Sequence, residues 1–240
     1  MRINNYIKTC GVCSRREADN LIESGRVLVN GKLAEIGMEI NAKDVVLVDN
    51  KKINLVNTKV YLLLNKPIGI ETTAEKKKNN IIDFVGFKER LFPVGRLDKD
   101  SCGIIILTND GDIVNDICRV ENNHEKEYLV MVDKPLDMDF KYLMEKGVKI
   151  YNPAQNRPVV TKKCMIKIVN STTFKITITQ GLNRQIRRMC KELGYNVTYL
   201  ERIRIMNISD SHLKKGEYRM LTSKEIRDLK ELLKINQRET

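Results

Sequence analysis

The chain has 240 residues, 42% of them hydrophobic and 31% charged, and 43 Lys and Arg against 31 Asp and Glu leave a net charge of +12. That length holds one large domain, or a large one and a small one, and the positive balance draws polyanions to the surface. No apolar run approaches the roughly 20 residues of a spanning helix, and the start MRINNYIKTCG lacks the apolar stretch of a secretory signal, so a cytoplasmic protein without a membrane partner is expected.

In chain order, Ile3, Tyr6 and Ile7 mark one face of a first helix, and Ser14 with Glu17 forms a capping box that opens a second. Ala18, Leu21 and Ile22 lie on the inner face of that second helix, and Gly25 follows its end. Cys10 and Cys13 form a CxxC without a second CxxC or an HxxxH to complete a metal set, so a packed helix end is expected and no metal. All six cysteines are expected reduced. Val27 to Val29 reads as a strand, Asn30-Gly31 as a two-residue hairpin turn, and Val45 to Val48 as another strand. A linker is expected over Lys51 to Thr58, which divides the chain into residues 1–57 and residues 58–240.

Beyond it, strands are expected at Tyr61 to Leu64, Gly103 to Leu107, Tyr128 to Val132, Cys164 to Val169, Phe174 to Thr179 and Arg202 to Ile208. Helices are expected after Thr108, over Asp137 to Glu145, Arg184 to Leu193 and Ser223 to Leu233. The pattern is that of a mixed, mainly antiparallel α+β domain behind a small front unit. Lys76-Lys77-Lys78-Asn79-Asn80 reads as a solvated loop.

Three stretches could carry chemistry. Asn183 is placed to cap a helix on which Ile186, Met189, Cys190 and Leu193 face one way and Arg184, Arg187, Arg188 and Lys191 the other. Arg187 lies nearest the apolar edge and is the one expected to be partly buried and paired with an acid. A charge stripe is also what a solvated face looks like. Six basic residues against two acidic ones between Gln180 and Met206 favour a polyanion, with Arg202 and Arg204 on one face of the next strand. The second stretch, Gly95 to Gly103, is a polar loop feeding an apolar strand, which would hold a carboxylate such as Asp98 on a rigid base; a surface turn with paired charges has the same pattern. In the third, HEKEYLV, Tyr128 opens a strand and could stack on a base or move a proton, or serve as half-buried core. His124 is expected at the surface.

Together these stretches resemble the RsuA and RluB/E/F group of RNA pseudouridine synthases. GRLDKDSCGIIILTNDGD is similar to the group's central motif, KEYLV to its tyrosine motif and GLNRQIRRMC to its arginine motif. The front stretch RINNYIKTCGVCSRREADNLIESGRVLVNG resembles the S4 RNA-binding domain. NKPIGIETT, FPVGRLDKDS, VTKKC and LERIRIMN bring the chain nearest the RluF type, which acts on 23S ribosomal RNA. Two departures stand out: Thr198-Tyr199 precede Leu200 where lysine is expected, and Tyr151 to Pro158 looks like a loop insertion.

The resemblance implies isomerisation of uridine to pseudouridine: uracil leaves its ribose at N1 and returns through C5, with no cofactor. Asp98 would act as nucleophile or assist cleavage through a glycal, with Arg187 offsetting the desolvation of its carboxylate. Tyr128 would stack on the uracil and shuttle the C5 proton, Leu200 would pack against the base, and Arg96 would fill the space left by the everted nucleotide. Arg184, Arg188, Lys191, Arg202 and Arg204 would contact the RNA, as would Arg2, Lys8, Arg15, Arg16 and Lys32 of the front unit, whose nine basic and seven acidic residues over 1–58 require a local patch. The expected partner is a 23S ribosomal RNA stem-loop bound by a monomer. The alternatives are 16S ribosomal RNA, a tRNA, or a non-catalytic RNA-binding ribosome-assembly protein.

Overall fold

The computed structural model describes residues 1–55, 58–73, 79–118 and 123–236. In the front unit, α1 (Ile3–Thr9) buries Ile3 and Ile7 completely, one helical turn apart. They pack on Ala18 and Ile22 of α2 (Arg15–Glu23), which starts at the expected capping box of Ser14 and Glu17. β1 (Val27–Val29) and β2 (Lys32–Leu33) form a hairpin through Asn30 and Gly31, whose φ values of 51° and 81° suit a tight two-residue turn. β3 (Val46–Val48) pairs with the other edge of β1, and β4 (Lys51–Lys52) completes the sheet. Cys13 belongs to this core, and burial pushes the Cys10 thiol up to about 11, so the CxxC closes a helix end. The boundary expected at 57 and 58 falls beside residues 56 and 57, which lie outside the described residues.

The second unit follows with β5 (Tyr61–Lys66), α3 (Ile81–Val85), β6 (Phe92–Pro93), β7 (Cys102–Thr108), α4 (Gly111–Cys118), β8 (Lys126–Val132) and α5 (Phe140–Glu145). Then come β9 (Lys149–Asn152), β10 (Arg157–Val160), β11 (Met165–Asn170), β12 (Thr173–Ile178), α6 (Gln185–Glu192), β13 (Val197–Ile205), β14 (Ile208–Ser209), β15 (Tyr218–Met220) and α7 (Ser223–Asn236). Among the described residues the main sheet runs β11-β12-β8-β13-β7-β5-β15, and only the β13–β7 pair is parallel. Strands β5 and β7 are buried at every position because helices cover both faces. Their side chains alternate: Leu62, Leu64, Ile105 and Leu107 join α5 and α6 on one face, whereas Tyr61, Leu63, Ile104 and Ile106 join α4 and α7 on the other.

Several expectations need correction. The strand expected over Arg202 to Ile208 begins at Val197 and breaks at Met206, whose φ is 51°. The helix expected from Asp137 begins at Phe140, because the Asp137 amide donates to the Tyr195 hydroxyl at 3.0 Å. Tyr151 to Pro158 is part of a two-stranded hairpin, with Tyr151 donating to Asn156 across its turn. Residues 76–78 of the expected solvated loop lie outside the described residues, whereas Asn80 is 1% exposed and caps α3 by accepting from the Ile82 and Asp83 amides. His124 is 2% exposed rather than superficial, held beside Asp116, and burial lowers its pKa.

The two units meet at a small cavity of about 190 Å³ between α1 and β6. The Lys8 ammonium lies 4.8 Å from the centre of the Phe92 ring, and Arg90 donates to the Val12 carbonyl and pairs with Glu17, each at 3.3 Å.

Candidate active site

The turn between Gly95 and Ser101 is fixed from several sides. Leu97 is buried, its carbonyl accepts from the Thr72 hydroxyl at 2.7 Å, and its amide donates back to the same oxygen at 3.2 Å. The Asp98 carbonyl accepts from the Ser101 amide at 3.1 Å, and the Lys99 carbonyl from the Gly69 amide at 2.8 Å. The Asp98 side chain, 36% exposed, therefore leaves a clamped backbone. Gly103 brings in the neighbouring strand: at its φ of 107° an added Cβ would lie 2.2 Å from the Arg202 carbonyl oxygen. Only glycine permits this parallel approach, which sets Leu200 and Arg202 of β13 beside the Asp98 turn.

A cavity of about 460 Å³ opens here, with Asp98, Tyr128 and Leu200 in its lining and Ile178, Leu182 and Ile186 as apolar wall. Its size lies in the range of about 300–1,000 Å³ typical of small-molecule sites. Tyr128 is 8% exposed, anchored in the main core, and opposite both Ile176 and Arg202 in the sheet. Arg96 is exposed at the lining.

The arginine helix departs from expectation in its pairing. Arg184, not Asn183, is the N-cap residue, in a left-handed conformation with φ 49°. Its guanidinium bonds both oxygens of Asp100, at 3.0 and 2.8 Å, and stands 3.9 Å from Asp98. Arg187 is partly buried and paired with an acid as expected, but the acid is Asp100, at 3.4 Å. It also donates to the Val197 carbonyl at 3.1 Å, the Asp100 carbonyl at 2.8 Å and the Ser101 hydroxyl at 3.4 Å. Arg187 thus ties α6 and β13 to the turn backbone, and among the described residues the guanidinium nearest Asp98 is that of Arg184. The Arg184 hydrogen bonds, then burial opposed by the charges of Arg187 and Arg184, leave Asp100 below the usual carboxylate range. Arg188 folds back onto Asn183, and Lys191 is exposed on the outer face.

Arg202 and Arg204 do not share a face. A bulge between them shifts the register, so Arg202 lies opposite Tyr128 and Arg204 opposite Glu127. Arg202 is 2% exposed, donates to the Ile104 carbonyl at 2.8 Å and lines the cavity, whereas Arg204 is neutralised by Glu125 and Glu127 at 2.9 and 3.1 Å. In the front unit Arg2, Arg15, Arg16 and Lys32 are exposed, with Arg15 bonded to Asn5. Lys8 differs in lying over the Phe92 ring at the junction between the units.

Two lysines escaped the sequence reading. Lys66, at the end of β5, is fully buried, donates to the Pro67 and Ile70 carbonyls at 3.0 and 2.8 Å, and is pushed down to about 8 by burial, with Cys102 and Asp98 opposing the shift. Lys126 opens β8 and lines the cavity two residues before Tyr128. Its only sequence signal was its place in the KEYLV string.

Known proteins resemble this chain over both of its units. The RNA pseudouridylate synthase family profile matches residues 60–192, and the S4 domain profile matches residues 1–46. A protein described as dual-specificity RNA pseudouridine synthase RluF from Salmonella typhi is 52% identical over 97% of this chain and 79% of its own length. Ribosomal large subunit pseudouridine synthase B from Bacillus subtilis is 32% identical over 96% of each chain. A solved pseudouridylate synthase superposes with a TM-score of 0.69 at 28% identity, covering 95% of this chain and 99% of its own. With that family profile over more than half of its length, an S4 profile in front and a relative 52% identical over nearly all of it, this chain belongs to the RNA pseudouridylate synthase family and is an RNA pseudouridine synthase.

Proposed function

We propose that the chain converts a uridine of large-subunit (23S) ribosomal RNA to pseudouridine, with Asp98 as the catalytic carboxylate. The observation that carries the reading is the partly exposed Asp98 carboxylate, on a clamped turn, lining a cavity that also holds Tyr128 and Leu200. A uridine stacked in a helix is out of reach, so the substrate base is everted into the cavity, Arg96 at the lining filling the gap it leaves. Tyr128 stacks on the uracil and moves the C5 proton, and Leu200 packs against the ring. Asp98 attacks as nucleophile or assists departure of N1, with the Arg184 guanidinium 3.9 Å from its carboxylate. Arg187 serves by holding the turn. The exposed Arg2, Arg15, Arg16 and Lys32, with Arg188 and Lys191, contribute phosphate contacts.

In this proposal the protein works as a monomer in the cytoplasm on a stem-loop of the RNA; the RNA partner is supported by a relative named a ribosomal large subunit pseudouridine synthase and by a net charge of +12. Relatives about 51% identical are named dual-specificity RNA pseudouridine synthases, which favours a second target, for which 16S ribosomal RNA and a tRNA are candidates. Mapping pseudouridine across total RNA in a deletion strain names the targets. Loss of one 23S site, restored by the wild-type gene and not by Asp98→Asn, is the expected result. An unchanged map would overturn the proposal.

A further inference from the structure

The cavity holds more positive charge than its visible chemistry uses. Arg184 is matched by Asp100, and Arg96 is solvated. Lys126 and Arg202 have no carboxylate within ion-pair distance among the described residues. The Lys126 ammonium is half-buried and donates to the His124 carbonyl at 3.1 Å. Behind it, Arg202 keeps one terminal nitrogen buried with no hydrogen-bond partner. The neighbouring Cys118 is an exposed thiol, and a thiol is mostly neutral near pH 7, so it offers no counter-charge. Burial and the Arg202 charge both lower the Lys126 pKa, as an unmatched ammonium beside a guanidinium requires.

Two adjacent cations withdrawn from water are costly without an anion. Uracil and ribose are neutral, so the anion an RNA substrate can bring is a phosphate. A nucleotide turned out of its helix carries the phosphates on its 5′ and 3′ sides to the mouth of the pocket. We propose that Lys126, with Arg202 buried behind it, binds a phosphate adjoining the everted uridine. The inference rests on the cavity being the uridine pocket and adds to that reading an anchor inside it, distinct from the surface arginines and lysines.

The test measures dissociation constants, against salt, of a synthetic RNA stem-loop spanning the uridine mapped in cells. Lys126→Met is expected to weaken binding about tenfold and to lower the slope of log K against log salt by about 0.7, one single-strand phosphate contact. Lys126→Arg restores the slope, which repair of packing alone would not do. Replacing one adjoining phosphate by a methylphosphonate should cost the wild type a similar factor and cost Lys126→Met nothing further; separate 5′ and 3′ replacements say which phosphate is held. An unchanged salt slope, no loss with either replacement in the wild type, or losses that simply multiply would each overturn the subsite. Conversion of the same stem-loop is followed in parallel: its absence in the wild type defeats the function proposed above, while the binding data still decide the phosphate contact.

Discussion

Asp98 and Asp100 stand two residues apart on one turn and differ in what holds them. Asp100 is shared by two guanidinium groups and is already neutralised, whereas Asp98 has one at 3.9 Å and keeps open cavity before it. Asp98→Asn should therefore lower single-turnover conversion by at least roughly 10³-fold while RNA affinity stays within about threefold. Asp100→Asn should cost about 10- to 100-fold, because it frees Arg184 and Arg187 and loosens the turn without removing the proposed reacting group; equal losses in the two variants would contradict this division. Lys66 gives a prediction of another kind. Its folded pKa of about 8 lies below the ordinary 10.5, so between these values the unfolded chain binds a proton that the folded chain has released. Stability from this group therefore rises as pH climbs through that window, and below it the burial cost is fully present. At about 1.4 kcal/mol per pH unit, the advantage of Lys66→Met over wild type should shrink by on the order of 3 kcal/mol between about pH 7 and pH 10.5. Urea unfolding of both proteins reads this difference directly, and a constant gap would show that Lys66 does not titrate there.

The helices and strands divide into those whose cause is local and those whose cause is tertiary. The Ser14 and Glu17 capping box, the Asn30-Gly31 turn and the apolar runs of β5 and β7 were legible because each is set by residues adjacent in sequence. The stretch Tyr151 to Pro158 was read as a loop insertion from its length against the RluF type, and its strands gave no signal of their own, since β10 is mostly exposed and shows no apolar alternation. The arginine helix showed which faces were apolar and charged, but not which acid each guanidinium would reach. That depends on the parallel seating of β13 on β7, encoded by the absent side chain at Gly103. The buried Lys66 and Arg202 were illegible for the opposite reason: composition rules put such residues outside. Gly103→Ala tests the seating itself. A Cβ 2.2 Å from a backbone oxygen, at a positive φ, forces the two strands apart, so a loss above about 3 kcal/mol is expected in chemical unfolding. Alanine tolerated within about 1 kcal/mol would mean that the strands have room to yield.

Across the whole molecule, the front and catalytic units have separate cores and touch through a few charged and aromatic side chains near Lys8, Arg90 and Phe92. An exposed ion pair contributes about 0.2–1 kcal/mol and a cation over a ring about 0.5–1 kcal/mol, so this junction biases the relative placement of the units without locking it. Arg90→Glu sets a carboxylate against Glu17 and removes one cation from the Phe92 ring. The expected shift of about 1–2 kcal/mol should enlarge the radius of gyration in small-angle scattering and raise KM several-fold for an RNA long enough to touch both units. The turnover number should stay within about twofold, since Arg90 lies outside the catalytic cavity. With a short stem-loop that reaches only the cavity, KM should not change. The long RNA must span both units to sense their placement, so a KM rise on both substrates would place the effect of Arg90 in the catalytic unit rather than at the junction.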